Sequence, residues 1–283
     1  MTEGRCLCGT VRYEIDGPLA NMLHCHCSMC RKHHGTPFAT WATAPLAVFR
    51  FTAGEPAVVR YDSSPGFHRS FCRICGSVAP EGVAAAGLVI CPAGNLEGDL
   101  GVEPQLHMFV GSKAPWYTIT DDLPQFEEYP PQFGMNATSR PQVATEGDHP
   151  QGSCLCGAVA YDVAGPPMRM YYCHCSRCRR SRSAAHAANI FYGADGFRWL
   201  RGEDLVMNYK PPEAQYFTTA FCRKCGSKMP RVSRERGVVL VPAGTLDNEP
   251  GIRPTAHIFV GSKAPWERIT DSIPQFDEMP PRP

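Results

Sequence analysis

Cysteine spacing constrains this chain more than any other feature. "CLC" at 6–8, "CHCSMC" at 25–30 and "CRIC" at 72–75 return as "CLC" at 154–156, "CHCSRC" at 173–178 and "CRKC" at 222–225. Fourteen of the fifteen cysteines thus fall into two matching sets of seven. Thiolates spaced C-x-C and C-x-x-C reach a common metal ion, whereas a disulfide framework belongs to an oxidising compartment. The opening "MTEGRCLCGT" has no apolar stretch to act as a signal peptide. No run approaches the roughly 18 apolar residues of a membrane span. A cytoplasmic protein without a membrane partner is expected. Cys91, in "VICPAG", stands outside both sets, and its apolar flanks predict a buried small hydrophobe.

The repetition extends beyond cysteine. "GRCLCGTVRYEIDGP" returns as "GSCLCGAVAYDVAGP", "HMFVGSKAPW" as "HIFVGSKAPW" and "PQFEEYPP" as "PQFDEMPP". The offset is 148 up to Cys30 and Cys178, and 150 from Cys72 and Cys222 onward. Two residues are therefore gained between Tyr209 and Phe221, in a loop beginning "KPPEAQ". A repeat of this length is a duplicated domain rather than a solenoid. The expected division is 1–131, a polar linker at 132–149, and 150–283. Residues 1–131 hold 9 basic and 13 acidic side chains, net −4, and residues 132–283 hold 19 and 14, net +5. Such halves either attract one another or leave a basic surface for a partner.

"TVRYEI" and "AVAYDV" alternate apolar and polar residues, the period of a half-buried strand. The other β-rich runs are short and broken by Gly and Pro, and 27 prolines argue against long helices. The sequence predicts two mainly β, mostly antiparallel domains, with the best helix candidate just after "CSMC" and metal held between sheet ends and loops.

Seven cysteines per copy divide as four plus three. A structural zinc is closed by four protein ligands, whereas a catalytic zinc takes three and keeps one position free. Cys6, Cys8, Cys72 and Cys75 suit a structural site, because joining distant C-x-C and C-x-x-C motifs closes a long loop. Gly76 of "CRICG" would permit the turn that such a knuckle needs. Cys154, Cys156, Cys222 and Cys225 repeat it. Cys25, Cys27 and Cys30, with Cys173, Cys175 and Cys178 as their copy, remain as open, candidate catalytic sites. A histidine, His26 or His24, is the alternative fourth ligand; His174 repeats the former, while Tyr172 stands in the place of the latter. Up to four zinc ions per chain are expected, two structural and two open.

The pattern G-x-C-x-C-G, C-H-C-x-x-C-R, F-C-x-x-C-G-S, present twice and in full, resembles the glutathione-dependent formaldehyde-activating enzyme family, also called the centromere protein V/Gfa domain family. The resemblance covers nearly all of the chain outside the linker. It implies tandem Mss4-like zinc-binding β domains in which the four-cysteine zinc is structural and the three-cysteine zinc catalytic. The implied activity is that of a carbon–sulfur lyase, joining formaldehyde and glutathione to S-hydroxymethylglutathione or splitting it, with glutathione as the small-molecule partner. Two other functions stand beside it. One is a zinc-stabilised module for nucleic acid or protein, suggested by the basic second copy but lacking an aromatic–basic platform. The other is zinc chemistry on a substrate unrelated to glutathione.

Differences between the copies bear on which site works. His33 and His34 are either a solvated helix face or proton shuttles; Ser181 and Arg182 replace them. Phe38 and Trp41, expected to wall a pocket, become His186 and Asn189, so the first copy is expected to be nearer the family's active form. Arg177, Arg179, Arg180 and Arg182 form either a solvated basic face or a carboxylate- or phosphate-binding fork. His107, on the predicted strand "QLHMFV", is expected to be a packed histidine. Tyr61 and Tyr209, with Trp116 and Trp266, are expected in the core or a pocket wall.

Overall fold

The computed structural model describes residues 1–135 and 148–281. Most of the expected linker at 132–149 lies outside the described residues. The first copy contains β1 (Thr2–Arg5), β2 (Arg12–Ile15), β3 (Asn21–Cys25), α1 (Ser28–His34), β4 (Ala39–Pro45), β5 (Phe49–Ala53), β6 (Val58–Ser64), β7 (Phe67–Cys72), β8 (Glu81–Val83), β9 (Leu88–Pro92), β10 (His107–Met108) and β11 (Gln125–Phe126). One sheet runs β1-β2-β5, a larger one β11-β10-β3-β4-β9-β8, and β6 and β7 form a hairpin. Pairing is antiparallel except where β10 runs parallel to β3 and β11. In β2 the alternation is read directly: Tyr13 and Ile15 are buried while Arg12 is exposed.

The second copy repeats the plan with β12 (Gln151–Ser153), β13 (Ala160–Val163), β14 (Arg169–Cys173), α2 (Ser176–Arg182), β15 (Ala187–Gly193), β16 (Phe197–Arg201), β17 (Val206–Tyr209), β18 (Thr219–Cys222), β19 (Lys228–Met229), β20 (Arg231–Ser233), β21 (Val238–Pro242), β22 (Ala256–Ile258) and β23 (Gln275–Phe276). Its six-stranded sheet, β23-β22-β14-β15-β21-β20, has the same order as that of the first. The molecule is therefore mainly β, with two similar six-stranded sheets. The two added residues fall where the sequence places them: the tight β6–β7 hairpin is replaced by residues 210–218 between β17 and β18.

The helices are seven residues each and begin inside the cysteine motif. Cys27 caps α1, its Sγ accepting from the Cys30 amide at 3.3 Å. Gly35 ends the helix in the left-handed region at φ 69°. In α2 the same role falls to Ser183, which holds φ 55° without being glycine. Helices this short are not stable alone, so tertiary contacts must hold them.

Those contacts come from both copies, α1 meeting β4 of its own copy and residues 243–245 of the other. Trp116 packs among Tyr161, Val163, Met170 and Ile190 of the second copy, and Trp266 among Tyr13, Ile15 and Met22 of the first. The "GSKAPW" segment of each copy thus completes the other's core. At the seam a Cβ on Gly94 would stand 2.2 Å from the Ala184 amide nitrogen, and one on Gly244 would stand 2.4 Å from that of Thr36. Ion pairs reinforce the contact: Lys32 with Asp247 at 2.5 Å, Arg180 with Glu97 at 2.5 Å and Arg268 with Glu103 at 2.7 Å. In two of the three the acid belongs to the acidic first copy.

Candidate metal centres

Four groups of cysteine sulfurs converge: Cys6, Cys8, Cys72 and Cys75; Cys154, Cys156, Cys222 and Cys225; Cys25, Cys27 and Cys30; Cys173, Cys175 and Cys178. Within each group the sulfurs lie within 4.8 Å of one another. In the first four-cysteine group Cys6 and Cys8 are 3.4 Å apart, and Cys8 and Cys72 3.8 Å. Four thiolates about 2.3 Å from a tetrahedral zinc stand roughly 3.8 Å from each other, so the donor set fits that ion in number, type and spacing. A disulfide would need sulfurs about 2.05 Å apart.

Turn geometry builds these sites. Gly76 and Gly226 adopt φ 70° and 71°, and a Cβ on Gly76 would collide with the Phe221 ring of the other copy at 2.4 Å. The Gly76 amide bonds the Cys72 carbonyl rather than a sulfur. The amide that faces sulfur is that of Val11, 3.3 Å from Cys6 Sγ, with Val159 doing the same for Cys154 at 3.2 Å. Such bonds favour the thiolate form.

The three-cysteine groups sit where a strand runs into a helix. Cys25 ends β3, Cys27 caps α1, and Cys30 lies one turn in. Neither His24 nor His26 belongs to the group that the sulfurs form. His24 Nδ1 bonds Thr40 Oγ1 at 3.0 Å, and His26 Nε2 bonds His107 Nδ1 at 2.8 Å. His107 Nε2 in turn donates to the Asp121 carboxylate at 3.0 Å, which leaves its Nδ1 to accept from His26. The second copy repeats the chain as His174, His257 and Asp271. His107 is thus a packed, hydrogen-bonded histidine, as its strand position suggests.

Two residues beside the first open cluster escaped the sequence reading. Arg69, on β7, donates from Nη1 to Cys30 Sγ at 3.5 Å. Burial opposes its charge, yet the Cys30, Cys27 and Cys25 thiolates hold the guanidinium above its usual range. Hydrogen bonds from Cys25 and Cys27 hold the Cys30 thiol well below its ordinary value, and Arg69 pulls the same way. Tyr129, half-buried, is pushed up to about 12 by burial and by the same three thiolates, so its phenol keeps its proton at neutral pH. Their counterparts are Thr219, bonded to Ser181 at 2.8 Å, and the exposed Met279. The available signal was that both positions change between otherwise matching copies.

Several expectations are corrected. His33 and His34 do not form a solvated face: both are fully buried at the seam. Burial pushes His33 well below the usual imidazole value and His34 to about 4, so both are neutral at pH 7. His34 Nδ1 donates to the Arg182 carbonyl at 2.8 Å, and its ring meets Trp41 edge-on at 5.0 Å. Phe38 is buried, packed against His24, Tyr117 and His186 of the other copy. Trp41 does pack against the first open cluster. The second cluster has its own apolar wall of Phe217, Phe259 and Phe276, so loss of Phe38 and Trp41 does not strip it. Phe217 comes from the lengthened loop. Of the second-copy arginines expected in a solvated face or an anion-binding fork, Arg182 is buried against Asn189 and Arg180 pairs with Glu97, while the partly exposed Arg177 faces Glu213 at 3.7 Å. Cys91 lies in the core, fully buried, as expected.

No helix among the described residues is long and apolar enough to cross a membrane. No curated protein matches the chain. A crystal structure of a Rhodobacter sphaeroides protein is similar to it at 28% identity, over 34% of this chain and 89% of that one, with a TM-score of 0.30. The sequence profile of the glutathione-dependent formaldehyde-activating enzyme family matches residues 1–112 and again 149–262. With each match spanning a full set of seven cysteines, the chain belongs to that family and carries its unit twice.

Proposed function

We propose that the four cysteine groups hold zinc, two closed by four thiolates and two open. We further propose that the first open group, Cys25, Cys27 and Cys30, carries out carbon–sulfur chemistry on a thiol adduct of the S-hydroxymethylglutathione type. The observation that carries the reading is Arg69 set against Cys30 Sγ beside three converged sulfurs whose flanking histidines are engaged elsewhere. When bound, zinc would hold a fourth sulfur as thiolate and polarise a neighbouring oxygen.

Cys25, Cys27 and Cys30 would supply three negative charges, and Arg69 offsets one of them. Without it, a fourth thiolate would face a site of net −1 in a low-dielectric setting. Tyr129 keeps its proton and offers a donor near the same sulfurs. Adduct formation joins the thiol sulfur to the carbonyl carbon and passes the thiol proton to the carbonyl oxygen. The reverse breaks that bond and returns the proton, and no electrons are exchanged. Arg182 brings a guanidinium to the second cluster as well, but Met279 supplies no donor in place of Tyr129, which favours the first copy as the working one. The nucleic-acid reading loses part of its basis, because Arg180 and Arg182 are spent in contacts within the molecule.

Cobalt-substituted protein tests this. Glutathione should change its charge-transfer and ligand-field bands, because a thiolate joins a three-thiolate site. Cys27→Ser should abolish most of the change, and Arg69→Gln should weaken the binding about tenfold, the worth of one charge-assisted bond. A silent spectrum, with salt-dependent affinity for DNA, would favour the binding module instead. Silence in both assays would leave zinc chemistry on an unrelated substrate.

A further inference from the structure

Between the copies lies a crevice of about 130 Å³, formed by Arg31 of α1, the segment 111–116 and residues 246–248 of the second copy. Arg31 follows Cys30 directly. Its Nε is buried without a hydrogen-bond partner among the described residues. Lys113 stands across the opening and gives one hydrogen bond from Nζ to the Tyr117 carbonyl at 2.8 Å, which leaves other ammonium protons unspent. Trp116 and Leu246, both buried, form the apolar part of the wall.

The one acid in the wall, Asp247, favours the charge on Arg31 but accepts its hydrogen bonds from elsewhere. Asp247 is held by Lys32 at 2.5 Å and accepts from Ser153 Oγ at 2.7 Å. Asn248 is likewise occupied, accepting from the Gln151 amide at 2.8 Å and donating to the His149 carbonyl at 2.9 Å. The crevice therefore presents a guanidinium whose charge burial opposes and Cys27, Asp247 and Cys30 favour but whose Nε is unpartnered, and an ammonium with protons to spare. The crevice reaches the first open cluster through α1, where its lining residue Arg31 follows Cys30. Its volume is about that of four water molecules, at roughly 30 Å³ each, enough for a carboxylate with a carbon or two attached.

Resting on the thiol chemistry proposed above, we infer that this inter-copy crevice is an anion subsite, in which Arg31 and Lys113 hold a carboxylate of the thiol whose sulfur reaches the Cys25–Cys27–Cys30 cluster. Guanidinium and ammonium differ in geometry, the one a planar fork and the other a point charge, and together they suit a carboxylate approached from two sides. The subsite needs both copies, since residues 246–248 close it.

Glutathione and its diethyl ester carry the same thiol with and without free carboxylates. Each is titrated into the cobalt-substituted full chain, and the spectral change that Cys27→Ser removes is read. Arg31→Gln and Lys113→Gln should each weaken glutathione about tenfold while moving the ester by less than about twofold. Lys113→Gln serves as the second variant because Lys113 is remote in sequence from the cysteine motif. Equal weakening of both thiols in both variants, or none, overturns the subsite while leaving the metal–thiol reading intact. Absence of any spectral change with either thiol in the unmodified chain overturns that reading and the subsite together.

Discussion

A guanidinium stands beside each open cluster, but it arrives by a different route in each copy. In the first it is Arg69 from β7; in the second it is Arg182 from α2, at the position of His34. Burial pushes Arg182 down to about 10, while Cys178 and Cys173 favour its charged form. The cysteines themselves were legible in the sequence, because C-x-C and C-x-x-C bring sulfurs together through local turns. Arg69 was not, because 39 residues and a hairpin separate it from Cys30. His33 and His34 looked like surface residues because helix periodicity cannot be read across seven residues with basic neighbours. Cysteine roles separate by substitution. A structural zinc contributes on the order of 10 kcal/mol to a small domain. Cys72→Ser should therefore leave the chain unfolded or aggregated, whereas Cys27→Ser should keep native far-ultraviolet circular dichroism. Equal stability of the two variants would contradict the closed and open roles.

The alternation in β2 and the brevity of the helices could be read from residue patterns alone, whereas β13, expected to be half-buried, is buried at all four positions, with Asp162 paired to Arg198. The exchange of "GSKAPW" between copies could not be read either, because a buried tryptophan gives no sign of whose core it enters. That exchange has a measurable consequence. Replacing a buried aromatic by alanine typically costs about 3–5 kcal/mol. Trp116→Ala should lose that amount in denaturant unfolding although it belongs to the first copy and packs in the second. Because Trp266 makes the reciprocal contact, both copies should unfold in one transition, and the substitution should shift all of it. Two separated transitions, with only one displaced, would contradict the interlocked core.

For the whole molecule, the opposed net charges of the halves predicted attraction, and two of the three inter-copy ion pairs among the described residues have that polarity. The seam also buries an acid that charge counting does not reveal. Glu267 occupies the place of Tyr117, and burial pushes its carboxyl up to about 8; Asp121 and Asp271 push the same way and Lys263 opposes them. The folded chain keeps this proton up to about pH 8, whereas the unfolded chain loses it near 4.5. The stability it contributes is therefore complete below about pH 4.5 and lost as pH rises to 8. Relative to Glu267→Gln, the unmodified chain should lose on the order of 1.4 kcal/mol per pH unit within that window, measured by denaturant unfolding at several pH values. Parallel pH profiles would mean that the carboxylate is ionised in the seam. The four-plus-three division, made twice, is the claim on which the rest depends, and metal content tests it most directly. Protein purified without chelator and supplied with zinc should hold close to four equivalents per chain, and Cys27→Ser close to three while remaining folded. A value near two that added zinc does not raise would contradict it.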